Sequence, residues 1–294
     1  MATFLTEYCP NMNTRMEALI KIFSYDFFTN ALMAAFLSAL LCGIIGTYIV
    51  SRRMVFISGG ITHSSFGGIG IAYYLGLNPV LGAVVFGVLS ALGIKFLSER
   101  SKIREDTAIG VLWSVGMAIG IIFIFITPGY APNLMSFLFG NILTVTIPDL
   151  IILLSLTLFT LFFFILFYKP ILYISFDEEY ARAQKFPVKI LTYFLLVLVA
   201  LTIVINIRIV GIILVISLLT MPQSIANIFT NNFKYIIIWS VVFGLLGSIG
   251  GLIFSYFINI PSGAAIIICL AALYIVLKAV KYGFDILVRR NTNE

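Results

Sequence analysis

The sequence predicts an all-α, polytopic transmembrane helical bundle of eight or nine spans, and two observations carry that prediction. The first is composition: of 294 residues, 61% are hydrophobic and 10% charged, with a mean hydropathy of +1.13. Soluble domains are about 45–50% apolar and about 25% charged. This chain has too few charges to cover a water-facing surface. The second is spacing, because the apolar residues gather in runs of about 20, the length that crosses a hydrocarbon core about 30 Å thick. A soluble enzyme, a disordered chain, a disulfide scaffold and a nucleic-acid-binding domain are excluded. The formal charge of +6 sits in short loops between apolar runs, where it sets topology.

Residues 1–26 carry Glu7, Glu17 and Asp26 and read as an interfacial or extracytoplasmic segment without a cleavable signal peptide. The membrane domain covers 27–282 and a tail follows at 283–294. Spans are expected at Phe27–Ser51, Val55–Gly76, Asn78–Leu97, Thr107–Thr127, Pro148–Tyr168, Val188–Ile207, Tyr235–Phe257 and Ser262–Val280. A ninth, Ile209–Phe229, is apolar only in its first half and is interrupted by Thr220-Met221-Pro222-Gln223-Ser224. Pro222 lacks a backbone donor and frees a carbonyl one turn earlier. In lipid such groups must be satisfied within protein, which predicts an interior position for this broken helix.

With nine spans, most loop cations fall on one face: Arg52, Arg53, Arg100, Lys102, Arg104, Lys169, Arg182, Lys185, Lys189, Lys278, Lys281, Arg289 and Arg290. The positive-inside rule makes that face cytoplasmic and puts the N-terminus outside. Arg208 is the exception on the opposite face, and Arg15 and Lys21 count against the assignment. Cys9, Cys42 and Cys269 have neither disulfide nor zinc-site spacing and read as packing residues.

Three segments are not plain spans. Ser58–Gly70 holds five glycines, among them Gly59, Gly60, Gly67 and Gly68, together with His63, the chain's one histidine. Close helix approach explains the glycines but not an ionisable residue inside a span, which usually faces a bundle interior or a cavity. A continuous helix carries His63 about 15 Å in from Arg53, near the midplane. A neutral imidazole there suits a transition-metal ion, and a hydrogen-bonded structural role is the alternative. Ser175–Phe186 reads as a short amphipathic helix capped by Ser175 or Asp177, acidic at its start, basic at its end and stopped by Pro187. It is either an ordinary connector or a docking helix offering Phe176 and Tyr180 to a soluble partner. Asn133–Leu143, on the outer face, reads as a loop or interfacial helix. A Walker A loop, a zinc-protease motif and a carboxylate pair within a span are all missing, so any energy source for uphill transport lies on another chain.

Four blocks in order resemble the permease subunits of the metal-ion (zinc/manganese/iron) ABC importers, the ABC-3 family. They are Arg52-Arg53-Met54 with Ser58–Gly70; Phe176-Asp177-Glu178-Glu179-Tyr180-Ala181; Val210–Val215 through Met221-Pro222; and Pro261-Ser262-Gly263-Ala264. The resemblance covers about Phe27–Tyr282. It implies a type II ABC-importer-like fold, and a metal pathway at His63. It also implies a coupling helix formed by Phe176, Asp177, Glu178, Tyr180 and Ala181, gating at the broken helix around Gly211, Met221 and Pro222, and packing at Gly263. The implied partners are a second permease copy or a close relative of this chain, two cytosolic ATPase subunits and an extracytoplasmic metal-binding protein, in a bacterial cytoplasmic membrane. The implied cargo is a divalent metal ion, with no tightly bound cofactor and no enzyme activity in this chain. Many family members have Asp four residues before the histidine, whereas this chain has Gly59. Losing that oxygen ligand tilts the expected cargo toward zinc and away from manganese. A metal-chelate permease and a secondary transporter are the competing readings; the latter lacks a coupling carboxylate within a span.

Overall fold

The computed structural model describes residues 25–101, 103–128 and 140–291. Expectations for the N-terminal segment up to residue 24, and for residues 133–139 of the outer segment, lie outside the described residues. Among the described residues the helices are α1 Asp26–Ser51, α2 Val55–Tyr74, α3 Pro79–Ser101, α4 Glu105–Ile126, α5 Ile147–Leu166, α6 Tyr168–Phe176, α7 Glu178–Ala183, α8 Val188–Val210, α9 Ile212–Leu218, α10 Met221–Phe229, α11 Phe233–Ile258 and α12 Ser262–Asn291. No strand occurs among them. Eight helical stretches are long and apolar enough to cross a membrane, with α9 and α10 counted together as Ile212–Phe229. The remaining long helix, α2, has 20 residues diluted by glycine, serine and His63. Short turns lead into α2 from α1 and out of it to α3, and α2 packs along α3 and α4.

The core forms around α1, which packs against α5, α8, α9, α10 and α11. From Ser38 to Ile49 α1 is buried except for half-buried Leu40, whereas Met33 and Phe36 in its first half are exposed. The other densely packed unit is α2 held between α3 and α4, with α3 also packed on α8. Small residues allow this. A Cβ on Gly68 would overlap the Gly82 carbonyl, and one on Gly116 would meet the Ser64 backbone, so the backbones touch where ordinary side chains would hold them apart. Gly60 seats Ile109 and Gly67 seats Phe86 in the same manner. The serine hydroxyls of α2 donate back along their own helix, Ser58 to Val55 O at 2.6 Å and Ser65 to Thr62 O at 2.7 Å. That removes the cost of burying them.

The loops divide into two ends. The basic end collects Arg52, Lys95, the α6–α7 segment, Lys234, Lys278 and Lys281. The opposite end holds Asp149, Arg208 and Pro261. There Asp149 completes a capping box with Thr146, its Oδ2 accepting from the Thr146 hydroxyl at 2.7 Å. Its Oδ1 lies 3.0 Å from Arg208 Nε. Arg208, the cation of that face among the described residues, is therefore paired with the acidic residue at the start of α5. The helix α12 continues to Asn291, well beyond the expected span end at Val280.

Candidate functional site

Between Ile57 and Gly70 every residue of α2 is buried except His63, which is half-buried. Its ring lies against Trp113 of α4, with centroids 4.3 Å apart and planes 8° from parallel. Nδ1 is buried without a hydrogen-bond partner among the described residues. The Cβ position of Gly59 faces the same indole at 3.4 Å. The room that a carboxylate at residue 59 would use is bounded by an aromatic edge instead. Among the described residues no three His, Cys, Asp or Glu side chains gather closely enough to hold a metal ion. One chain by itself therefore contributes an imidazole and no cage.

The broken helix lies inside the bundle. Gly211 separates α8 from α9 at φ +85° and ψ 163°, a conformation open to glycine and closed to residues with a Cβ. Gly140 packs directly on the Gly211 backbone, so the chain entering the Ile142–Thr144 turn crosses over this corner. The second break comes at Leu219–Thr220. Pro222 sits in the first turn of α10, where its missing N–H is not needed. It starts a helix here, whereas the sequence reading had it interrupting one. Met221 is half-buried and Pro222 buried. The Leu218 carbonyl accepts from Gln223 Nε2 at 3.2 Å, and the same nitrogen donates to Cys42 O of α1 at 2.8 Å. Gln223 is fully buried and ties the break to the central helix.

At the basic end the expected Ser175–Phe186 helix is shorter than its sequence pattern. The helix α7 spans only Glu178–Ala183. Asp177, not Ser175, caps it: its Oδ1 accepts from the N–H groups of Glu179 and Tyr180 at 2.9 and 3.0 Å. The Ser175 hydroxyl donates to Ile171 O at 2.7 Å and closes the end of α6. Pro187 does not stop α7 either. Lys185 takes φ +60° and Phe186 N–H bonds the Ala181 carbonyl, a Schellman ending two residues earlier. Ala181 is buried, while Phe176 and Tyr180 are 62% and 48% exposed. Glu178 points inward to Arg52, with Nη2 to Oε1 2.6 Å, and Arg52 Nη1 donates to the Ile174 carbonyl at 2.7 Å. Burial pushes the Glu178 carboxyl up, but contact with Arg52 and the charges of Lys95 and Arg182 outweigh this and hold it below its ordinary range.

Gly59, Gly60, Gly67 and Gly68 are buried in α2, and Gly263 is half-buried in the first turn of α12. The sequence reading missed the roles of Trp113, Gln223 and Glu178's partner Arg52. Trp113 carried a signal, being one of two tryptophans in the chain. Gln223 did too, as an amide directly after the proline of a buried break.

The ABC 3 transport family matches residues 24–281. An uncharacterized membrane protein of Synechocystis, slr2045, is 41% identical over 266 residues, which are 90% of this chain and 95% of that protein. The manganese transport system membrane protein MntC of Halalkalibacterium halodurans is 37% identical over 86% of this chain and 87% of its own length. The solved structure of PsaBC from Streptococcus pneumoniae in complex with Fab superposes with a TM-score of 0.79 at 33% identity, covering 89% of this chain and 94% of that one. A family match over nearly the whole chain and relatives of this similarity place the protein: it belongs to the ABC 3 transport family.

Proposed function

We propose that this chain is the membrane-spanning permease of an ATP-driven importer of a divalent transition-metal ion, paired with a second permease copy. The observation that carries this reading is His63, the one half-buried residue in the otherwise buried middle of α2, its imidazole stacked on Trp113 in a helix of the membrane domain. Two such imidazoles across a dimer axis offer two nitrogen ligands and leave the remaining positions to water or carbonyl oxygens. A site of that kind binds weakly, and transport requires release. In this reading the basic end faces the cytoplasm and Phe176 and Tyr180 dock an ATPase. The paired permeases take the ion from an extracytoplasmic binding protein at the opposite end.

Two cargoes compete, each with its own support. Imidazole without a nearby carboxylate favours zinc, whereas the similar proteins of Halalkalibacterium halodurans and Listeria monocytogenes are manganese transport proteins by name. We favour zinc for this chain because Gly59 and Trp113 stand where an oxygen ligand would be needed. Uptake of radiolabelled zinc and manganese, each alone and both together, measured in cells that express the chain with its ATPase and its binding protein, tests both levels. Zinc uptake that manganese competes with poorly supports the finer reading. Manganese uptake indifferent to zinc removes it and leaves the importer, and uptake of neither ion removes the importer.

A further inference from the structure

The proposed drive enters at α7, while the candidate pathway lies at His63 in α2. One side chain bridges the two. Arg52 follows the last residue of α1 and reaches the docking segment twice, through Glu178 at 2.6 Å and through the Ile174 carbonyl at 2.7 Å. It also opens the three-residue turn into α2. That turn is tight: Arg53 takes φ +57° and the Met54 N–H bonds the Ile49 carbonyl at 3.0 Å. His63 follows Val55 by about 12 Å of helix. The backbone contacts of α2 with α3 and α4 leave little room to bend, so a displacement at the turn is passed along the helix axis. Charges on those two helices extend the link. Lys95 of α3 lies 3.8 Å from Glu105 of α4; Lys95 acts on Glu178, and Glu105 on Arg52.

We propose that the Arg52–Glu178 pair transmits movement of the docking helix to the His63 helix, with Arg52 as a positioning residue that never touches cargo. The proposal rests on the ATP-driven reading above. It assigns the pair a role separate from holding the ATPase, which falls to the exposed Phe176 and Tyr180. Arg52 and Glu178 are 13% and 25% exposed at their side chains, too enclosed to form a docking surface.

The test is a double-mutant cycle read as metal taken up per ATP hydrolysed, in proteoliposomes holding the purified permease–ATPase complex and supplied with the binding protein. Arg52→Gln, Glu178→Gln and the double variant should each recover the ATPase. Each should lose about tenfold or more in that ratio, within the usual range of coupling free energies, and the double should lose no more than either single. Losses that multiply would show two independent sites and overturn the proposal. An unchanged ratio with less assembled complex would also overturn it, leaving the pair as scaffolding. A wild-type permease that recovers no ATPase refutes the underlying reading instead, and does so before any variant is compared.

Discussion

The His63 imidazole and the Trp113 indole stack face to face, 4.3 Å between centroids, and this fixes the plane in which His63 can offer a nitrogen. Trp113→Ala should free the ring and Trp113→Phe should keep most of the stack, whose worth is about 0.5–1.5 kcal/mol beyond area burial. The telling measurement is the zinc-to-manganese uptake ratio at matched protein. It should change for Ala and stay near wild type for Phe, and equal ratios in all three would detach Trp113 from ion choice.

His63→Ala and His63→Gln are both expected to cut uptake by more than the about 10–100-fold typical of losing an outer-shell partner, with normal protein in the membrane and normal ATPase recovery. Gln keeps polarity and approximate size but ligates poorly. Transport by the Gln variant near the wild-type rate would make His63 a packing residue.

Phe176→Ala with Tyr180→Ala should lower co-purification of the ATPase while leaving the helices intact. These rings are anchors worth about 1.5–3 kcal/mol each if fully buried in a partner. Full ATPase recovery would move docking to another surface.

Gln223→Leu keeps volume but leaves the Leu218 carbonyl without its donor, a loss of about 1–3 kcal/mol for a buried group. Thermal unfolding in detergent should shift down accordingly. An unshifted transition would mean that another group replaces the amide at the break.

The Glu178 carboxyl is held below its ordinary value of 4.5 in the folded protein. A depressed folded pKa means that the pair's contribution is complete above the unfolded value and disappears as pH falls through the folded one. Amide protection of α7, corrected for the intrinsic pH dependence of exchange, should therefore stay level from neutral pH down to that region and fall only below it. In Glu178→Gln the acid step should vanish; if it persists, another group is titrating.

Apolar run length located the passes because a bilayer imposes one length on every spanning helix, whatever packs beside it. The Pro222 break and the acidic-to-basic pattern of 177–185 were legible for a similar reason, since both are local chemistry. What was not legible is contact between distant positions. Arg52 and Ile174 are 122 residues apart, and no periodicity in either segment names the other. Arg52 could be read for topology, but its ion pair with Glu178 and its bond to Ile174 exist only once the end of α1 is packed against α6 and α7. Helix ends escaped too: Lys185, in a left-handed turn, stops α7 ahead of the more conspicuous Pro187, and a non-glycine residue there gives no compositional cue. His63 could be found from sequence, whereas the indole lying on it could not.

The amide of Gln223 also bears on how the chain is made. Its distant acceptor, the Cys42 carbonyl, belongs to α1, which leaves the ribosome long before α10, and its near one, Leu218, emerges just before it. Both partners are therefore already synthesised when this least comfortable stretch reaches the insertion machinery. The polar group need not wait in lipid for a helix still to come, and a chain released after α10 would already contain every acceptor that Gln223 uses.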